Sequence, residues 1–176
     1  MYSLTLSEND HITFQLYEAS TNSEKRKSRK RSFFIFLALG LFVIILGYQK
    51  EDSFLMYYGV FCSILVICFG NTYLGWRHKK HYIKHVKNKL KDLPEEIVEI
   101  EINDDQIKVI DRVSNTKIKI SEITLVNEIK SHYFLKLSTG PSIVIPKSNP
   151  ALNEEVLAMI SNFNLQHIIK LDWKWS

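Results

Sequence analysis

Apolar positions follow one another along this chain in three ways: in unbroken runs, at helical spacing and in strict alternation. Phe33 to Tyr48 (FFIFLALGLFVIILGY) holds no charge, and Phe54 to Trp76 (FLMYYGVFCSILVICFGNTYLGW) is interrupted only by Ser63, Asn71 and Thr72 as distinctly polar positions. As helices these runs reach roughly 24 and 34 Å at about 1.5 Å per residue, against a hydrocarbon core of about 30 Å. The second spans comfortably. The first is short by itself and would also fit a core helix of a soluble bundle. Only Gln49 to Ser53 separates the two, so they pair as an antiparallel hairpin with a tight turn.

Helical spacing governs two further segments. Ser7-Glu-Asn-Asp10 has the form of a capping box, and Ile12, Leu16 and Ala19 share one face of the helix it would open, with a hairpin of Tyr2–Leu6 against Ile12–Leu16 as the alternative. That helix would run toward the first span through the polar stretch 20–32. From Arg77 to Leu93, Tyr82, Ile83, Val86, Leu90 and Leu93 form an apolar stripe beside Arg77, Lys80, Lys84, Lys87 and Lys91. This pattern predicts a juxtamembrane continuation of the second span.

Alternation marks the strands. Tyr2, Leu4 and Leu6 predict a short one, and after Pro94 the period turns to two. Strands are expected at Val98–Ile102, Gln106–Ile110, Thr116–Ile120, Thr124–Ile129, Tyr133–Leu137 and Ser142–Ile145, with a strong turn at Ser138-Thr-Gly-Pro141. Asn149-Pro150 reads as a helix start, and Leu152, Val156, Met159, Ile160 and Phe163 make its apolar face. The expected fold is a membrane helical hairpin plus an α+β domain, an antiparallel meander or partly open barrel of about six or seven strands capped by a C-terminal helix.

Charge adds an orientation. The chain has 176 residues, 45% hydrophobic and 24% charged, with a formal net charge of +4. That mixture excludes a disordered or collagen-like chain. Six basic residues fall within 25–31 and seven within 77–91, which leaves ten basic against nineteen acidic residues elsewhere. Both blocks lie at one end of the hairpin, whereas its turn carries Lys50, Glu51 and Asp52. Basic flanks stay on the cytoplasmic side during insertion, which puts both chain ends inside. Lys25, Arg26, Lys27, Arg29, Lys30, Arg31, Arg77, Lys79 and Lys80 are the expected membrane-surface contacts, each stabilising by up to about 1 kcal/mol at an anionic leaflet. The spans already account for the basic runs, so no nucleic-acid partner is expected. A cleaved signal peptide fits poorly, given the long polar N-terminal region, the lack of an Ala-x-Ala-like site and the second span that follows.

Within the spans, Gly59, Ser63 and Gly70 share one helix face and Gly40 and Gly47 another, as close helix packing in lipid requires. No ionisable Asp, Glu, Lys, Arg or His lies inside either span, so no proton or ion path is visible. Cys62 and Cys68 fall on different faces and read as small hydrophobes. His78, His81 and His85 lie within about 60° on one helical face; they would suit zinc in principle, but adjacent turns of one helix do not aim three rings at one point, and a polar interfacial face is the simpler reading. Glu95, Glu96, Glu99, Glu101, Asp104 and Asp105 read as a solvated strand face rather than a cation site. His132 and His167 stand alone in sequence, as surface or satisfied core histidines do. No phosphate loop, metalloprotease motif or nucleophile elbow occurs. No catalytic residue, metal or cofactor is therefore expected, and the chain does not read as an enzyme.

The stretch Tyr133-Phe-Leu-Lys-Leu-Ser-Thr-Gly-Pro-Ser-Ile-Val-Ile-Pro-Lys147, preceded by Ile123 to Glu128, resembles the signature of the YcxB-like family of bacterial proteins, with Tyr133, Phe134, Ile145, Pro146 and Lys147 as the matching positions. The chain is similar to that family in layout too: an N-terminal segment, a two-helix hairpin and one domain of pleckstrin-homology-like (PH-like) type. It departs from it at Ser148-Asn149 and in its tail. The resemblance implies no activity and no catalytic residues. The expected parts are an N-terminal cytoplasmic segment (1–32), the hairpin (33–76, with spans 33–48 and 54–76), a basic juxtamembrane helix (77–93), the PH-like domain (94–164) and an aromatic tail (165–176), which either docks as a strand or reaches the membrane interface. The expected role is a non-catalytic binding or scaffolding module of the bacterial inner membrane. Its partners would be the lipid bilayer and an unidentified protein, with homo-oligomerisation left open. The alternative is an accessory or regulatory subunit of a transport or signalling complex that acts through the hairpin.

Overall fold

The computed structural model describes residues 1–91 and 96–175. Leu93 of the apolar stripe, the change of period at Pro94, and Glu95 of the acidic cluster lie outside the described residues. The chain divides into two units, residues 1–15 with 86–174 and residues 16–85 with Trp175.

The elements follow in the order β1 (Tyr2–Leu6), α1 (Glu8–Thr21), α2 (Ser23–Gln49), α3 (Ser53–Leu90), β2 (Glu96–Ile102), β3 (Gln106–Ile110), β4 (Asn115–Lys119), β5 (Ile123–Glu128), β6 (His132–Leu137), β7 (Ser142–Pro146), α4 (Pro150–Asn162) and β8 (His167–Ile169). A single turn of 3-10 helix, Ile120–Glu122, carries the chain from β4 to β5.

In the first unit the strands form two four-stranded sheets, ordered β1-β2-β3-β4 and β7-β6-β5-β8. The expected meander of six or seven strands is therefore split in two and enlarged to eight described strands. The extra strands come from the chain ends. β1 lies antiparallel to β2, with Leu4 opposite Val98, and β8 lies parallel to β5, with Asn127 opposite Ile168. The N-terminal strand thus joins the sheet of a domain that begins more than eighty residues later.

Alternation is obeyed where one face meets water. In β1, Leu4 and Leu6 are buried while Ser3 and Thr5 are exposed. The shared core contains Ile100, Ile107, Ile120, Val126, Leu135, Ile145, Leu152 and Val156, all fully buried. On the outer face of the first sheet, Glu101 sits opposite Lys108 and Lys108 opposite Lys117. Asp104 and Asp105 are exposed in the β2–β3 turn. In the next turn Asp111 Oδ1 accepts from the backbone N–H of Val113 at 2.7 Å and of Ser114 at 2.6 Å.

Asn149 caps α4 by accepting from the N–H groups of Ala151 and Leu152, and Pro150 takes the first helical position, where no N–H is needed. Leu152, Val156, Met159 and Ile160 are buried. Phe163, read from periodicity as the last member of that face, is 41% exposed. The helix has already ended there: Leu165 N–H donates to Ile160 O and Asn164 N–H to Ser161 O, with Asn164 at φ 48°. This is a Schellman ending, which turns the chain away from the helix axis. The Ser138–Pro141 hairpin is as expected, with Gly140 at φ +104° where a side chain would be strained.

In the helical unit Asn22 stops α1 and caps α2, accepting from the N–H groups of Glu24 and Lys25. The helix expected to pass through residues 20–32 is thus broken once. α2 and α3 are both long and apolar enough to cross a membrane, and only 11% of each apolar window is buried. A core helix would be mostly buried. Their connection is a second Schellman ending, with Asp52 N–H donating to Gly47 O, Glu51 N–H to Tyr48 O and Glu51 at φ 54°. Asp52 Oδ1 then accepts from Leu55 N–H at the start of α3.

Candidate functional site

Two places gather the residues that the sequence singles out. One is the polar end of the helical unit and the other is the far end of the second sheet.

The helical unit closes along its glycines. A Cβ added at Gly47 would lie 2.6 Å from Met56 N, one at Gly59 2.9 Å from Ile44 N, and one at Gly40 2.4 Å from Ser63 Oγ. Ser63 is buried, and its hydroxyl donates to Gly59 O at 2.8 Å. Gly70 is less tightly engaged, facing the Phe33 ring at 3.2 Å. Cys62 and Cys68 are both free thiols.

At the polar end of that unit, residues 16–48 and 76–85 contain ten Lys and Arg but only two carboxylates, Glu18 and Glu24. Those two already lie beside lysines, Glu18 at 3.8 Å from Lys25 and Glu24 at 3.5 Å from Lys27. Not every basic residue points outward. The Lys25 ammonium lies 5.5 Å from the Tyr82 ring centre and the Arg29 guanidinium 5.9 Å from the Trp175 ring. Lys80 stands over Trp76 at 5.2 Å. Trp175 also donates from Nε1 to Gly75 O at 3.2 Å. Arg26, Lys27, Lys30, Arg31, Arg77 and Lys79 are exposed.

His81 and His85 are exposed and His78 is half-buried. No group of three His, Cys, Asp or Glu suited to a metal exists among the described residues. Burial, then the charges of Arg29, His81 and Arg77, hold the His78 imidazole below its ordinary range. A cleft of about 380 Å³ opens here, lined by Ser32, Ile35, Phe36, Leu74, Arg77, His78 and His81.

In the β unit, Glu128 at the end of β5, Tyr133 near the start of β6, Lys147 just after β7 and His167 at the start of β8 converge. Lys147 Nζ donates to Glu128 Oε1 at 2.5 Å and stands 4.5 Å above the Tyr133 ring. His167 Nε2 lies 2.7 Å from Glu128 Oε2 but out of line for a hydrogen bond. The side chains of Glu128, Lys147 and His167 are only 12–18% exposed. Burial, and secondarily Glu128, raises the Tyr133 phenol above its usual range. Four of the motif positions, Tyr133, Phe134, Ile145 and Pro146, are themselves buried. A lysine and a carboxylate that neutralise one another hold strands together. They offer no free nucleophile.

Next to this cluster, His132 is 4% exposed. Its Nε2–H donates to Asp10 Oδ1 at 2.8 Å, Nδ1 is 2.8 Å from Ser131 Oγ, and its ring stacks on Phe134. Phe14 of α1 covers Phe134 with ring centres 5.4 Å apart. The lone histidine is thus a satisfied core residue. Sequence reasoning missed its partner because Asp10 lies 122 positions away, with only the capping box to single it out. Burial pushes the Asp10 carboxyl up, but hydrogen bonds from Ser7 Oγ and N–H and from His132 outweigh it and leave the carboxyl below its ordinary range.

With these positions placed, the comparison with known families bears on part of the β unit. Residues 102–149 match the family of YcxB-like proteins. The YcxB-like segment runs from the last residue of β2 to the N-cap of α4, and it contains Tyr133, Phe134, Ile145, Pro146 and Lys147. β1, α4 and β8, which complete the fold around it, lie outside the match. No curated protein and no solved structure matches the chain.

Proposed function

We propose that this chain is a non-catalytic binding or scaffolding module held at the cytoplasmic face of a bacterial inner membrane by its helical hairpin. One observation carries the reading: two apolar, largely unburied helices share a polar end with ten basic residues against two carboxylates, while their connection has a single lysine. The positive-inside rule then keeps both termini in the cytoplasm. The YcxB-like segment supports a bacterial module of PH-like layout. Its least exposed charges, Glu128 and Lys147, pair with one another, which supports binding rather than catalysis. Residues 92–176 carry thirteen acidic and nine basic side chains, a balance that an anionic leaflet repels and that favours a protein partner for this domain.

The test is a reporter active on one side of the membrane only, fused after Ser176. Cytoplasmic activity is expected, and activity on the outer side would overturn the reading. A second role, as an accessory subunit of a transport or signalling complex acting through the hairpin, is favoured by the close seam at Gly40, Gly47, Gly59 and Ser63. An anchor alone would tolerate a looser seam once it is inserted.

A further inference from the structure

The cleft at the polar end of the hairpin has two chemically different halves. Ile35, Phe36 and Leu74 form its apolar wall, on the side of the proposed spans, and Ser32, Arg77, His78 and His81 form its polar rim. Arg77 makes no ion pair among the described residues, and the two nearby acidic side chains, Glu18 and Glu24, lie against Lys25 and Lys27. The rim therefore has donors and positive charge in excess, with no acidic side chain assigned to it. Its crowding is visible at His78, whose proton affinity is lowered by burial and then by Arg29, His81 and Arg77.

We infer that this cleft is a binding site for one anionic phospholipid, its phosphate held by Arg77 and His81 and an acyl chain lying along Ile35, Phe36 and Leu74. A ligand that suits both halves must join an anionic oxygen cluster directly to a hydrocarbon chain, and it must be present where a membrane span ends. A free phosphate satisfies only the rim. A guanidinium is well matched to phosphate oxygens, and the apolar wall gives the chain a protein surface in place of its lipid neighbours. The inference rests on the hairpin being membrane-spanning, and it adds a defined lipid site to a collar that would otherwise act only through diffuse charge.

The test uses the full-length chain in nanodiscs and in detergent supplemented with phosphatidylglycerol or phosphatidylcholine, with the lipids retained on the protein counted by native mass spectrometry. One phosphatidylglycerol is expected to remain bound under conditions that strip phosphatidylcholine. Arg77→Gln combined with His81→Gln is expected to weaken that retention about tenfold, as loss of a hydrogen bond to a charged group implies. Lys89→Gln removes the same formal charge elsewhere on α3 and should leave retention unchanged. Arg77 and His81 are exposed, so their substitution leaves the helix packing intact. Equal retention of the two lipids, an equal loss with Lys89→Gln, or displacement by inorganic phosphate would each overturn the site. A chain that fails to fractionate with membranes would instead sink the spanning reading.

Discussion

At the scale of single residues, the most consequential contact is the one between Asp10 and His132. An ionised carboxylate can only accept, so Nε2 of His132 must carry a proton. Because the Asp10 carboxyl is held below its unfolded value, its contribution to stability is complete above that value and is lost as pH falls through the folded one. The thermal midpoint of the wild-type chain in detergent should therefore fall more steeply below about pH 4 than that of Asp10→Asn. At neutral pH Asp10→Ala should cost about 1–3 kcal/mol, the penalty for stranding buried donors. Lys147 makes a sharper case. Lys147→Met leaves the Glu128 carboxylate buried beside His167, and a loss of about 3–5 kcal/mol is expected. The double variant Lys147→Met with Glu128→Leu should recover much of it, since the uncompensated charge is gone. A denaturation series that finds the single and double variants equally unstable would contradict the view that Lys147 neutralises Glu128.

At the scale of elements, the hairpin depends on how closely two backbones approach. Gly47 and Gly59 face backbone atoms, which cannot move aside, whereas Gly70 faces the edge of a phenyl ring. Gly47→Ala and Gly59→Ala should each destabilise the helix pair by about 1–3 kcal/mol, as overpacking does, and Gly70→Ala should cost less. Protease resistance or thermal aggregation of the detergent-solubilised chain would rank them, and a Gly70 variant as damaged as the other two would count against this ordering. The seam was legible in the sequence because small residues at helical spacing in an apolar run have few other uses. The ends of the helices were less legible. Glu51 and Asn164 adopt left-handed backbone with ordinary side chains, so the usual glycine signal is absent and periodicity carries the helix one position too far, to Phe163.

At the scale of the whole molecule, the β unit is assembled from both ends of the chain. A fragment beginning at Val86 lacks β1, so the hydrogen-bonding edge of β2 is bare and the core loses Leu4 and Leu6, each worth roughly 1.5–3 kcal/mol when buried. Such a fragment should show a broad unfolding transition, and a synthetic peptide of residues 1–15 should sharpen it. A fragment that unfolds as cooperatively as the domain in the full-length chain would show that β1 is dispensable. The same dependence explains why the YcxB-like segment is not by itself a complete fold. Its β6 strand presents four consecutive buried residues, His132 to Leu135, where alternation leads one to expect two of them in water.

That strand marks the division between what each source decides. The sequence alone determined the two long apolar helices, their basic flanks, the glycine seam, most of the strands and the start of α4. All of these follow from local periodicity, steric size or charge within a few residues of one another. It also determined the YcxB-like resemblance, through a motif that is contiguous. Tertiary structure alone decided that the strands divide into two sheets, that β1 and β8 complete them, and that the second face of β6 is covered by Asp10 and Phe14. These are pairings between segments many tens of residues apart, and hydrogen-bonding edges carry no residue code that names their partner. The cleft at Ser32, Leu74, Arg77 and His81 is of the same kind, since it exists only where two helices meet.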